Sequence, residues 1–518
     1  MKSIGSLVAA AGLLCAHTCS AAGCLGHLEP VIPGTNITTT EDTVLSSSSQ
    51  NISYCRVTGS VSYGHRNHSV EFELWLPSLD SYNGRFMVVG NGGFAGVIDT
   101  DQMALQLEQG FAVAGGDSGH RLADNGAGGP GSFIPFLNDV EETKAWIHES
   151  IAIITEPTRK IATAFYKNPP HHSYYHGCST GGAQGFALAQ FHPHLFDGIY
   201  AGSPGNWYSH LMLSFLWNGQ HSKGDAFIDQ ATLNATTKAI LDACDELDGV
   251  KDRLIENPLR CNFDINTLAC SSGDRAPKAN QTCLSPQKLG ALKAIYAGPM
   301  NMRTNTSIYP GFSLGSEREL LEQETWLYKE YAAPLLQNLV FNNLSYDIDT
   351  FNYDRDVVKV DAVASPLIDE IGVDLSAFQR HGGKMVVTQG VRIEIKTAYW
   401  YLGWTDAFNA ATWPIHHLEQ LQQSSADGSV ASFFNLYMVP GGGHCGAASS
   451  YPYVPATYHV DEALVAWVEK GVFPDSVLSS DPPDGSSRTR KLCPWPKTAK
   501  LRNQADPDVA GNYDCVHD

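Results

Sequence analysis

Basic residues are scarce in this chain: 34 Lys and Arg stand against 54 Asp and Glu in 518 residues, a formal net charge of -20. A surface so acidic repels phosphate backbones and anionic lipids, which excludes nucleic acid and acidic membranes as partners. Past the N-terminus no apolar run is long enough to cross a bilayer. Internal repeats and low-complexity stretches are missing too, so the composition is that of an ordinary globular protein. No cluster of His and free Cys accompanies the acidic residues, and a transition-metal centre is not expected.

What is present begins with Lys2, an apolar run from Ile4 to Cys15, and Ser20-Ala21-Ala22. This pattern reads as a secretory signal peptide over residues 1–22, cleaved near Ala22; the run is too short for a membrane span. Of the twelve cysteines, Cys15 and Cys19 would leave with it. The ten that remain form an even set suited to an oxidising compartment, although sequence alone allows hundreds of pairings. Seven Asn-x-Ser/Thr sequons, at Asn36, Asn51, Asn67, Asn234, Asn280, Asn305 and Asn343, fit a secreted, extracellular glycoprotein.

The chain is organised around His176-Gly-Cys-Ser-Thr-Gly-Gly182. Gly177-x-Ser179-x-Gly181 has the spacing of a nucleophile elbow, a strand-to-helix turn too sharp for a side chain on either side of the serine. The flanks agree: Ser173-Tyr-Tyr-His176 is β-prone, and Gly182 to Gln190 is a small-residue helix able to pack under the turn. Downstream, Pro440-Gly-Gly-Gly-His-Cys-Gly446 sets Cys445 directly after His444. A Cys178–Cys445 disulfide would tether the serine's turn to a loop bearing a candidate base, given Cα atoms roughly 6 Å apart.

These motifs, with Gly90-Asn-Gly-Gly-Phe-Ala-Gly96, Ala114-Gly-Gly-Asp-Ser-Gly-His120, Phe196-Asp-Gly-Ile-Tyr-Ala-Gly-Ser-Pro204 and Cys244-Asp-Glu-Leu-Asp-Gly-Val-Lys-Asp252, resemble the tannase and feruloyl esterase family of serine hydrolases. The resemblance spans nearly the whole mature chain and implies an α/β-hydrolase fold with a large inserted lid. Residues 23–205 supply the first part of the hydrolase domain, with strands at Val70–Leu76, Arg85–Gly90 and Phe111–Ala114 and helices at Met103–Gln109 and Trp146–Tyr166. Residues 206–377 lose the alternation of strand and helix and read as the lid. Its aromatics, among them Trp207, Tyr208, Trp217, Trp326, Tyr328 and Tyr331, form its core and line a slot for a planar ring. Residues 378–518 complete the hydrolase domain, with a helix over Trp413–Gln423, a strand over Ser432–Met438 and an amphipathic helix over Thr457–Val472.

The strand ending at Gly90 runs into Asn91-Gly92-Gly93, where this fold places one oxyanion donor; the other is the N–H after the nucleophile. Thr180 with Gly92 or Gly93 are the expected donors, against the plainer reading of Gly-Gly as a tight turn. Asp117 is a rival for the triad acid, but in this fold the acid follows the serine. The family's Gly-Trp-x-Asp turn nominates Asp406. Thirteen residues, Val391 to Gly403, interrupt that motif; removing them restores Thr-Gln-Gly-Trp-Thr-Asp-Ala-Phe. They are either an insertion or translated intron, and Glu394 within them is a minor competitor. Ser179, Asp406 and His444 then follow the α/β-hydrolase order.

In the lid, Asp245, Asp248 and Asp252 gather about a glycine turn and suit a hard cation. The resemblance implies a structural calcium held by these side chains and the carbonyls of Val250 and Leu254; a solvated acidic turn is the alternative. Cys244 with Cys261 and Cys270 with Cys283 are expected to brace this region, leaving Cys493 with Cys515 and Cys24 with Cys55. The resemblance also implies activity on hydroxycinnamoyl esters of plant cell-wall polysaccharide, with galloyl esters of tannins next. Two rivals are a non-catalytic hydrolase-fold binding protein and a hydrolase using the lid carboxylates as a metal site.

Overall fold

The computed structural model describes residues 24, 32–46, 51–125, 128–270, 283–389, 404–425, 429–446, 448 and 450–517. The signal segment 1–22, Asn280 and the Val391–Gly403 stretch with Glu394 lie outside these residues.

Nine strands form one sheet: β1 Thr35–Ser46, β2 Asn51–Tyr63, β3 His68–Pro77, β4 Arg85–Val89, β5 Ala112–Gly116, β6 His172–Cys178, β7 Gly198–Gly202, β8 Lys384–Gln389 and β9 Phe434–Met438. Their spatial order is β1-β2-β3-β5-β4-β6-β7-β8-β9. The first three are antiparallel neighbours and β3 joins β5 antiparallel, whereas every pairing from β5 through β4, β6, β7 and β8 to β9 is parallel. The sequence explains the division. Strands β5, β7 and β9 are buried at every residue, as continuous apolar runs covered on both faces must be. β1 is Thr-rich and alternates between half-buried and exposed, as an edge strand does.

Helix α1 Thr100–Glu108 follows β4, with the Asp99 side chain accepting the Gln102 N–H as its N-cap. Helices α2 Ser150–Tyr166 and α3 Thr180–Phe191 flank β6 in the chain. α3 buries its first ten residues. Between β7 and β8 the described residues of 203–383 add no strand to this sheet, only helices such as α4 Tyr208–His221, one two-residue hairpin and two π-helical turns, Tyr328–Ala332 and Leu335–Val340. Beyond β8 come α5 Trp413–Ser424 and α6 Val460–Lys470. The last helix is shorter than its apolar pattern predicts, because Thr457–Tyr458 pairs with a strand at Val477–Ser480.

All five expected disulfides are formed: Cys24–Cys55, Cys178–Cys445, Cys244–Cys261, Cys270–Cys283 and Cys493–Cys515. The six described sequon asparagines are all exposed. Among the described residues no helix is long and apolar enough to cross a membrane.

Candidate active site

Ser179 sits between β6 and α3 with φ 62° and ψ -119°, a left-handed conformation costly for any residue but glycine. The turn is so tight that a Cβ on Gly177 would lie 2.6 Å from the Gly181 carbonyl oxygen, and one on Gly181 would lie 2.9 Å from that of Asn91. Glycine at both positions is therefore a steric requirement. The serine stands at the carboxyl end of a central parallel strand, where ligands gather in such sheets.

Two further strand ends bring the rest. The loop after β9 carries His444, whose Nε2 lies 2.6 Å from Ser179 Oγ. The segment after β8 carries Asp406, whose Oδ2 is 3.4 Å from His444 Nδ1. The histidine loop is pinned from several sides: Cys178–Cys445 has its Cα atoms 6.1 Å apart, Ser203 Oγ donates to the His444 carbonyl at 2.5 Å, and Thr405 Oγ1 to that of Gly442 at 2.9 Å. The imidazole stacks on Phe408 with centroids 4.9 Å apart.

Asp406 is 1% exposed. It accepts the Phe408 N–H at 2.8 Å and the Asn409 N–H, and its Oδ2 accepts Gln389 Nε2 at 2.6 Å. Burial pushes its carboxyl up, while His444 and the two N–H donors pull against that rise. Gln389 was not singled out by sequence; only its position at the end of β8, ahead of the acid, could have drawn notice. Asp117 plays no part in this constellation. Its Oδ1 accepts the N–H groups of Glu71 and Gly119, both at 3.0 Å, and burial raises its carboxyl to about 7.

Among the described residues nothing accepts the N–H of Gly92, Gly93 or Thr180. Thr180 Oγ1 donates to the Gly93 carbonyl at 2.8 Å, which joins the two loops beside the serine. Above them lies a cavity of about 650 Å³ lined on one side by Phe94, Phe215, Trp326, Tyr331 and Phe408. Tyr331, on a π-helical turn, would touch a Cβ at Gly93 with its hydroxyl at 2.9 Å. Burial raises that phenol to about 12, so it stays a donor.

The acidic turn lies elsewhere. Among the described residues no three acidic, histidine or cysteine side chains surround a common point as a formed metal site. Asp245 Oδ1 accepts the N–H groups of Asp252 and Arg253 at 3.1 and 2.9 Å. Asp252 Oδ2 takes Arg488 at 2.6 Å and also Arg490, which reaches Glu256 at 3.0 Å. Yet Asp248 Oδ2 and Asp252 Oδ1 are buried without a partner, and burial, with the charge of Asp252 and then Asp245, lifts the Asp248 carboxyl to about 6. Two orphaned carboxylate oxygens beside buried Val250 and Leu254 fit a hard cation.

The family model for tannase and feruloyl esterase matches residues 55–516. An uncharacterised esterase of Xanthomonas campestris is 30% identical over 559 residues, covering 98% of this chain and 94% of its own. A probable feruloyl esterase B-2 of Aspergillus flavus is 31% identical over 468 residues, covering 85% and 84%. The crystal structure of feruloyl esterase B from Aspergillus oryzae matches with a TM-score of 0.80 at 25% identity, over 94% of this chain and 97% of that one. Because the matched residues run from β2 to the last strand and take in every loop around the serine, this carboxylic-ester hydrolase belongs to the tannase and feruloyl esterase family.

Proposed function

We propose that the protein is a secreted serine esterase that releases ferulic or other hydroxycinnamic acids from esterified plant cell-wall polysaccharide. The observation that carries the mechanism is the 2.6 Å contact between Ser179 Oγ, on a strained turn, and His444 Nε2.

In this reading neutral His444 takes the serine proton as Oγ attacks the ester carbonyl carbon. Asp406 holds the Nδ1–H tautomer and stabilises the imidazolium; Gln389 donates to the same carboxylate oxygen, Oδ2, and helps fix it. The N–H groups of Thr180 and of Gly92 or Gly93 receive the negative charge that develops on the carbonyl oxygen. His444 then protonates the departing alcohol. Water enters, gives a proton to His444 and attacks the acyl-serine; His444 returns that proton to Ser179 Oγ as the acid leaves. The aromatic wall of the cavity suits a planar acyl ring. Five disulfides and exposed sequon asparagines support secretion.

A structural calcium belongs to the same proposal, held by Asp245, Asp248 and Asp252 and the carbonyls of Val250 and Leu254. A bound cation there neutralises crowded carboxylates and adds nothing to the ester chemistry. The central test is acid release from methyl ferulate beside methyl gallate. Ferulate turnover is expected; gallate turnover alone would make it a tannase, and silence on both from folded protein would overturn the esterase reading of this site.

A further inference from the structure

The cavity has a second side unlike the aromatic one. His176, the strand residue three before the serine, lines it, and its Nδ1 lies 2.9 and 3.0 Å from the two carboxylate oxygens of Asp461 on α6. Gln106 of α1 donates to Asp461 Oδ2 at 2.7 Å and lies 3.4 Å from the same ring nitrogen. Burial pushes the Asp461 carboxyl up, but His176 and Gln106 overcome it and hold it below the ordinary range. An ionised carboxylate can only accept, so Nδ1 carries a proton, and in the neutral ring that placement leaves Nε2 as an acceptor. Among the described residues Nε2 has no hydrogen-bond partner.

Beside it on α1, Gln102 is 4% exposed and also lines the cavity; its Oε1 is buried with no partner among the described residues. Asp99, the N-cap of that helix, lines the cavity as well. Two acceptors without partners on one wall of the cavity leave donors wanting, and an unmet buried acceptor costs free energy until a ligand meets it.

We propose that His176 Nε2 and Gln102 Oε1 read the phenolic hydroxyl groups of the substrate's acyl ring, with Asp461 as the positioning residue that sets the His176 tautomer. This rests on the aromatic-ester reading given above. Three residues of extended strand separate the Cα atoms of His176 and Ser179 by roughly 10 Å, a reach suited to a ring joined to its ester carbonyl through a short linker. The ring would lie between the aromatic side and the acceptor wall, its O–H groups donating to the latter.

The experiment measures kcat/KM on methyl cinnamate, methyl p-coumarate and methyl caffeate, which carry no, one and two ring hydroxyls, for the wild type, His176→Asn and Gln102→Leu. All three esters are read on one preparation, so their ratio does not depend on the folded fraction, and Gln102→Leu leaves the His176–Asp461 pair intact. The wild type is expected to favour the hydroxylated esters. Each variant should lose that preference by about tenfold, the worth of one hydrogen bond, with methyl cinnamate unchanged. An equal fall on all three esters, or no fall on any, would overturn the assignment. A wild type that cleaves simple aliphatic esters and none of these three would overturn the aromatic-ester reading itself.

Discussion

Two pairs of carboxylates, Asp461 and Glu469 on α6 and Glu322 and Glu324 on the short helix Leu321–Thr325, behave oppositely. On the sheet side they are met by cations or imidazoles: Glu469 is held at about 2 by Arg85, and Asp461 is held low by His176. On the short helix between β7 and β8 they make no ion pair among the described residues. Burial raises Glu322 to about 7 and Glu324 to about 8, and each keeps one oxygen without a partner among the described residues. Elsewhere on the sheet side burial wins: Asp117, held by backbone donors, and Asp406, despite His444, are both raised. The same residue type is thus a fixed charge where a cation or imidazole overcomes burial and a more weakly ionised packing group where burial wins. The sheet side should fail chemically when altered, and the inserted side should fail by affinity and stability.

The sharpest break in this contrast is Ser179→Ala. It should lower kcat by a factor on the order of 10⁴ to 10⁶ with an unchanged melting temperature; retained turnover would remove the serine mechanism. Asp406→Asn should cost about 10⁴-fold in kcat through the wrong histidine tautomer, and an effect confined to KM would contradict that role. On the other side, Trp326→Ala should raise KM for aromatic esters by about tenfold while turnover of a small aliphatic ester holds. Equal losses on both would assign Trp326 to the catalytic scaffold.

A pH series divides the halves further. Glu322 and Glu324 have folded values above their unfolded ones, so they favour the folded state most below the ordinary carboxylate range and lose that contribution as pH rises through about 7 and 8. Melting temperature should decline toward pH 9, and Glu324→Gln should flatten the decline; an unchanged slope would sink the idea. The mildest effect expected is from a chelator, which should lower the melting temperature without changing kcat at temperatures where the protein stays folded. Loss of kcat at constant stability would instead favour a metal-dependent hydrolase.

The parallel core and the serine's turn were legible because they depend on composition and glycine spacing. β4 and β5 are mostly apolar and β6 carries Tyr174-Tyr175, and Gly177 and Gly181 permit no substitute. β1 and β2 were not read as strands: their Thr and Ser residues give little apolar signal, although both of their pairings are local hairpins. His444 and Asp406 were found through their motifs, not through periodicity. Gln389, Gln102 and His176 were missed as partners because their importance arises from which strand ends and helix faces meet across more than a hundred residues, and that information is absent from any local pattern.

The Cys178–Cys445 bond has a consequence for durability. It closes a covalent ring across a sequence separation of 267 residues, and the whole roof of the cavity lies within that ring. A protease that nicks any exposed loop between these cysteines opens the ring without parting the nucleophile from its base, since the two fragments stay joined one residue away from each. The enzyme can thus be cut through its roof and remain one molecule at its reacting centre.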